Sequence, residues 1–323
     1  MLRNYQIGYM LRHVKVREAR PLSFLRQSVA YMLSQSARTI PHAAGITTFD
    51  VTPLVEYGKS EDERLGSSGR KLTEKELLRR AVSRNFSAFF IKMIAHTMHK
   101  VPCMNGFIDY TLIRNGGTFY HAEDINLSFT VHTRFGVVKP IVRNPHEKPL
   151  TQVADEMRQL TRKARRTDMD ELYFKCARAY MISALREMDV SGWSAMIGYL
   201  RSRMWQRWKK DAVFPDVDES QKLQVEDVLG STCTVANIGM MVHGHQTVTV
   251  IIPPEVTMWG IGDLHLAPAV VNGEVVPRYQ ITLAITLDHR ALDGGDIFPF
   301  VDIMRRYIEN PALIYDWKPG DPV

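Results

Sequence analysis

The residues best equipped for chemistry lie near the C-terminal end, in Asp288-His289-Arg290-Ala291-Leu292-Asp293-Gly294-Gly295. An imidazole changes charge nearer neutrality than other unperturbed side chains, so it can take a proton in one step and return it in the next. Before His289, the residues Tyr279, Ile281, Leu283, Ile285 and Leu287 alternate with polar or small ones, the period of a strand with one apolar face. After it, Ile297, Phe300, Val301, Met304 and Ile308 recur at helical spacing, with Asp296 as the expected cap. A histidine on a strand-to-helix turn that also holds an aspartate and two glycines is predicted to be rigid and reachable. A lone histidine is more often a surface or satisfied core residue, so His289 and Asp293 are weighed together with the motifs elsewhere in the chain. His243 and His245 flank Gly244, but a metal ion needs more ligands than this turn offers, so no metal site is expected.

The elements that must position these residues form a mixed series. Helical spacing is read over Leu22–Gln35, over Glu74–Lys100 with a break near Ser83–Asn85, and over Leu150–Arg166. Strands are predicted at Ala43–Thr52, Thr118–His121, Asn126–His132, Gly136–Val142, Thr232–Asn237, Thr247–Ile252 and Tyr279–Leu287. Two further helices are expected within Asp168–Lys210, an exposed loop at Glu61–Arg70, an irregular acidic stretch at Phe214–Val228, and a closing helix at Asp296–Ile308. No regular βαβ repetition, internal repeat or glycine-rich phosphate loop occurs, so the fold class is α+β: a mixed β-sheet with flanking helices.

With 323 residues, 45% hydrophobic and 24% charged, the chain has the composition of a globular protein. Its net charge of +6 suits an anionic partner such as a phosphate-bearing cofactor. Nucleic acid is not expected, since no basic patch interleaved with aromatic residues occurs outside residues 167–225. Cys103, Cys176 and Cys233 are far apart, which argues against a disulfide framework and fits a reducing compartment, cytoplasmic or alternatively the mitochondrial matrix. Residues 1–21 are basic and are expected to form an arm on the body or on a neighbouring subunit, with a targeting segment as the alternative. No apolar run is long enough to span a membrane.

Several motifs, in order, resemble one family. Thr39-Ile40-Pro41-His42 is similar to the turn after the first helix of the acyltransferase (E2) catalytic domain of 2-oxoacid dehydrogenase complexes. Phe49-Asp50-Val51-Thr52-Pro53-Leu54 resembles the strand that follows, and Pro102-Cys103-Met104-Asn105 the exit of the family's long helix. Gly136-Val137-Val138-Lys139-Pro140-Ile141-Val142-Arg143 is similar to its G-L-V-x-P-V-I-R hairpin, and Thr232–Gly239 with Ile252-Pro253-Pro254 to its T-F-T-I-S-N-L-G and N-P-P region. His289 through Gly294 completes the signature shared with chloramphenicol acetyltransferase. The resemblance implies a chloramphenicol acetyltransferase-like, trimer-forming fold over residues 22–318, with a short tail at 319–323. It implies acyl transfer between coenzyme A and a thiol such as dihydrolipoamide, with His289 as general base. It also implies a homotrimer or larger assembly, with His289 of one chain meeting the neighbourhood of Asn237 in the next. Asp293 would fix the turn, paired with Arg26 or Arg290, although both arginines could equally hold loops together.

Three departures from the family bear on function. Ala236 stands where the family places a hydroxyl residue for the tetrahedral intermediate; Thr234, on the same strand face, or the amide of Asn237 are the candidate replacements. No lipoyl attachment site is expected within this chain, so a separate lipoyl-bearing protein or other dehydrogenase-complex subunits are the expected partners. A helical insertion is expected at 167–225. Trp193, Ile197, Leu200, Met204 and Trp208 form an apolar stripe there, beside Arg201, Arg203, Arg207, Lys209 and Lys210. It would pack within or between trimers, or touch a membrane or a partner. The alternative to an enzyme is an E2-like scaffold that has lost its chemistry.

Overall fold

The apolar series of residues 74–100 becomes the spine of the molecule. The computed structural model describes residues 5–22, 24–64, 74–111, 116–186, 214, 216–237, 239 and 248–323. Four helices come first: α1 (Tyr5–Met10), α2 (Phe24–Thr39), α3 (Thr52–Arg64) and α4 (Glu74–Lys100), with strand β1 (His42–Asp50) after α2. Six short strands follow: β2 (Gly106–Thr111), β3 (Gly116–His121), β4 (Asn126–Phe129), β5 (Val131–Thr133), β6 (Gly136–Val138) and β7 (Ile141–Arg143). Then come α5 (Leu150–Arg165), α6 (Met169–Arg186), β8 (Cys233–Asn237), β9 (Thr257–Val271), β10 (Glu274–Asp288), α7 (Gly294–Glu309) and α8 (Ala312–Tyr315).

One six-stranded sheet organises these elements, in the order β1-β10-β9-β8-β4-β7. It is mixed: β8 runs parallel to both β9 and β4, and the other pairings are antiparallel. One face carries Cys233, Val235, Trp259, Ile261, Leu283, Ile285 and Leu287 into the main core, against Phe89, Phe90, Met93 and Ile94 of α4. On the other face Ala236 and Met258 join Ile40 and Ile251 in a small second cluster. Strand alternation requires this division, because neighbouring side chains leave opposite faces.

Several sequence expectations are corrected. α4 is unbroken at Ser83–Asn85; burial of Phe86, Phe89 and Phe90 just beyond outweighs propensity differences of under about 1 kcal/mol per residue. Glu61–Arg64 belong to α3 rather than to a loop. Asn126–His132 and Gly136–Val142 each divide in two: β5 pairs with β6, and β4 with β7. Val248–Ile252 is not a strand; there Thr249 bonds the side chain of Thr286 instead of joining a ladder. β9 escaped the sequence reading because Gly260, Gly262, Asp263 and Pro268 interrupt its alternation. The expected helix over 193–210 and the pair His243 and His245 lie outside the described residues. Cys103, Cys176 and Cys233 are unpaired. Among the described residues no helix is long and apolar enough to cross a membrane.

Candidate active site

His289 sits where β10 ends and the chain turns into α7. Its backbone N–H donates to Pro41 O at 3.0 Å, which ties the turn to the start of β1. Its ring Nδ1 lies 3.0 Å from Leu292 O. A carbonyl oxygen can only accept, so Nδ1 carries the proton and the neutral ring leaves Nε2 as its basic lone pair. The ring is exposed while Leu292, whose carbonyl orients it, is buried.

The turn is held from both sides. Asp293, not Asp296, is the N-cap of α7: its Oδ1 accepts from Gly295 N at 2.7 Å, and Asp296 Oδ2 accepts from Asp293 N at 2.9 Å, closing a capping box. Among the described residues the carboxylate partner of Arg290 is Asp288 rather than Asp293. The ion pair is forked, at 2.6 Å from Nη2 and 2.9 Å from Nε. Asp288 is fully buried and its carbonyl also accepts from Ala291 N and Leu292 N. The hydrogen bond to that carboxylate raises the Arg290 guanidinium above its ordinary value. Charge-assisted bidentate bonds of this kind fix geometry as well as adding energy.

The other sequence-predicted residues are on β8. Asn237 Nδ2 donates to Ser87 Oγ on α4 at 3.0 Å, so Asn237 faces the helical side of the sheet. Thr234 and Ala236 face the opposite side and are both buried. Thr234 Oγ1 gives its only proton to Glu255 Oε2 at 2.7 Å. It accepts from Lys139 Nζ at 3.1 Å and lies 2.9 Å from Ser128 Oγ, which must then be the donor. The hydroxyl is saturated and has no proton left for a reacting oxygen. Ile251, which shares the small apolar cluster with Ala236, has its carbonyl bonded by Ser36, whose hydroxyl also lies 3.2 Å from His42 Nε2. The serine proton being committed, His42 is the donor to Ser36.

Sequence reasoning missed Asp288, Lys139, Glu255 and Ser36 as site residues. Only Asp288 carries a local signal, lying two residues from the arginine it pairs with. A cleft of about 390 Å³ lies behind the His289 turn, lined among others by Cys103, Tyr110, Phe119, His121, Arg290 and Asp296. Burial first, and then the nearby Asp296 carboxylate, push the Cys103 thiol above its ordinary value, so Cys103 is no ready nucleophile.

Sheet, spine helix and histidine turn together define the fold of an acyltransferase core. It superposes on dihydrolipoamide acetyltransferase of Azotobacter vinelandii with a TM-score of 0.64 at 20% identity, over 94% of this chain and 96% of that one. In that bacterial enzyme a serine, a histidine and an asparagine were investigated for roles in the catalytic mechanism. The family model of the 2-oxoacid dehydrogenases acyltransferase (catalytic domain) matches residues 15–197 and 216–315, and the chain belongs to this family. The unmatched internal residues, 198–215, are fewer than the insertion expected at 167–225, whose two flanks the family model matches. The chain is 26% identical over 309 residues to the probable dihydrolipoyllysine-residue succinyltransferase component of the mitochondrial 2-oxoglutarate dehydrogenase complex of Schizosaccharomyces pombe, covering 91% of this chain and 52% of that protein. It is 23% identical over 290 residues to the dihydrolipoyllysine-residue acetyltransferase component of the pyruvate dehydrogenase complex of Staphylococcus aureus, covering 90% and 51%. The chain thus spans about half the length of the curated relatives it matches.

Proposed function

We propose that the protein transfers an acyl group between coenzyme A and the thiol of a dihydrolipoyl group, with Nε2 of His289 as general base. The observation that carries this reading is the Nδ1 bond to Leu292 O, which fixes the tautomer and leaves a basic nitrogen on an exposed ring. Ordinary imidazole and thiol pKa values differ by about 2 units, a gap across which proton transfer is efficient. The thiolate so formed attacks the thioester carbonyl. Asp293 holds the turn through the α7 cap and Asp288 through Arg290, so both act as positioning residues.

The working unit in this reading is a homotrimer, in which His289 of one protomer faces the β8 region of the next. A lipoyl-bearing partner, within or beside a dehydrogenase complex, presents the acceptor. The free thiols suit a reducing compartment, cytoplasm or mitochondrial matrix. Ala236 and the saturated Thr234 favour a second reading, an E2-like scaffold without turnover. The test is acetyl transfer from acetyl-CoA to free dihydrolipoamide by the full chain. Turnover supports the enzyme; a folded trimer that neither turns over nor gains thermal stability from coenzyme A supports the scaffold.

A further inference from the structure

The β8 face that carries Ala236 lacks the expected hydroxyl, yet a cationic donor lies across the sheet from it. In β4, Ser128 is opposite both Thr234 of β8 and Ile141 of β7. Continuing both registers along β4 brings Thr130 opposite Ala236 on one side and Lys139 on the other. Two backbone bonds support the extension, Thr130 N to Val235 O at 3.3 Å and Phe129 N to Pro140 O at 3.0 Å. Lys139 and Ala236 therefore occupy one cross-strand row, two strand spacings or about 9–10 Å apart at Cα. The lysine side chain spans most of that gap, for its Nζ already reaches Thr234 Oγ1 at 3.1 Å. Thr234 and Ala236 are successive residues on the same face, about 7 Å apart.

We infer that Lys139 supplies the oxyanion donor that Ala236 cannot, so that the lost hydroxyl is replaced by an ammonium group from the neighbouring hairpin. Three features support this. Lys139 is half-buried rather than sealed, and Thr234 is its only hydrogen-bond partner among the described residues. An ammonium has three N–H donors, so two remain for a reacting oxygen. Thr234 passes its own proton to Glu255, a buried carboxylate, so the lysine is anchored through a hydroxyl rather than quenched by a direct ion pair.

The inference rests on the acyl-transfer reading, and the step balances within it. His289 Nε2 takes the proton from the attacking thiol, the new S–C bond forms, and the carbonyl π pair moves onto oxygen. Lys139 donates an N–H to that oxyanion. The pair then returns, the bond to the departing sulfur breaks, and the imidazolium gives its proton to the leaving thiolate.

The test uses the full-chain trimer with acetyl-CoA and dihydrolipoamide. Lys139→Met should lower kcat by about 10²–10³-fold while both KM values change little, and adding Ala236→Ser to that variant should restore most of the loss. Because Lys139→Met could also disturb the packing of Thr234, Ala236→Ser alone provides an independent readout. On the native background it should change kcat by no more than a few-fold, since a donor is already present. Native turnover that survives Lys139→Met, or a gain of about 10²-fold from Ala236→Ser alone, would overturn the lysine's role and leave the acyl-transfer reading standing. A native chain without turnover overturns both.

Discussion

Replacing Lys92 with methionine should flatten the dependence of stability on pH just above neutrality. Lys92 lies on α4, fully buried. Its Nζ donates to Lys148 O at 2.6 Å and sits 3.7 Å above the Trp317 ring. These contacts do not restore what burial removes: desolvation pushes the ammonium from 10.5 down to about 7. The folded pKa is below the unfolded one, so the unfolded chain binds more protons between those values and stability rises with pH there. The contribution is complete above the unfolded pKa and is lost as pH falls through about 7. At 1.36 kcal/mol per unit, and with the group half-protonated at the lower end, the native chain gains about 1.5 kcal/mol between about pH 7 and pH 8.5. Methionine keeps the apolar stem and does not titrate, so the variant should lack this increment. Near the upper end of this window the thiol of Cys176, raised to about 11 by burial, adds a slope of opposite sign, which is common to both proteins and cancels in their difference. Urea unfolding at fixed protein concentration and two pH values measures the difference. Parallel pH dependences in the two proteins would refute the argument that Lys92 is buried at the cost of its charge.

Two further outcomes follow from the histidine turn. Asp293→Ala removes the α7 cap and should cost about 1 kcal/mol in denaturant unfolding, with a fall in kcat as the Leu292 carbonyl loses its fixed position, whereas Asp293→Asn should keep most of both. Asp288→Ala leaves Arg290 without its carboxylate; because the guanidinium reaches solvent, the cost should be about 2 kcal/mol rather than the 3–5 kcal/mol of a fully buried broken pair, read as a shift in unfolding midpoint.

The sequence discloses the turn better than it discloses the site. His289 and Asp293 are legible because the chemistry of a strand-to-helix turn is local: an aspartate followed by two glycines and a second acid at the capping-box position specifies the geometry within eight residues. Assigning the cap to Asp296 instead of Asp293 is a shift within that box. The sheet is harder to read, since β9 mixes glycines and a proline into its alternation and owes its strand character to pairing with β8 and β10. Lys139, Thr234 and Glu255 meet only through tertiary structure, and Thr234 is distant in sequence from the Ser128 that it bonds. Period-2 alternation correctly puts Thr234 and Ala236 on one face, but it cannot reveal that Thr234 is already saturated. Nor can it show that Asn237 turns away from Ala236 to meet Ser87.

Nε2 of His289 is proposed as the base that removes the thiol proton in acyl transfer. The most direct test is the rate of acetyl transfer from acetyl-CoA to dihydrolipoamide by the native chain and by His289→Ala, at equal concentrations of folded protein. The expected result is turnover in the native chain and a loss of at least about 10²-fold in the variant, with coenzyme A still raising the melting temperature of both. Equal turnover in the two proteins would contradict it.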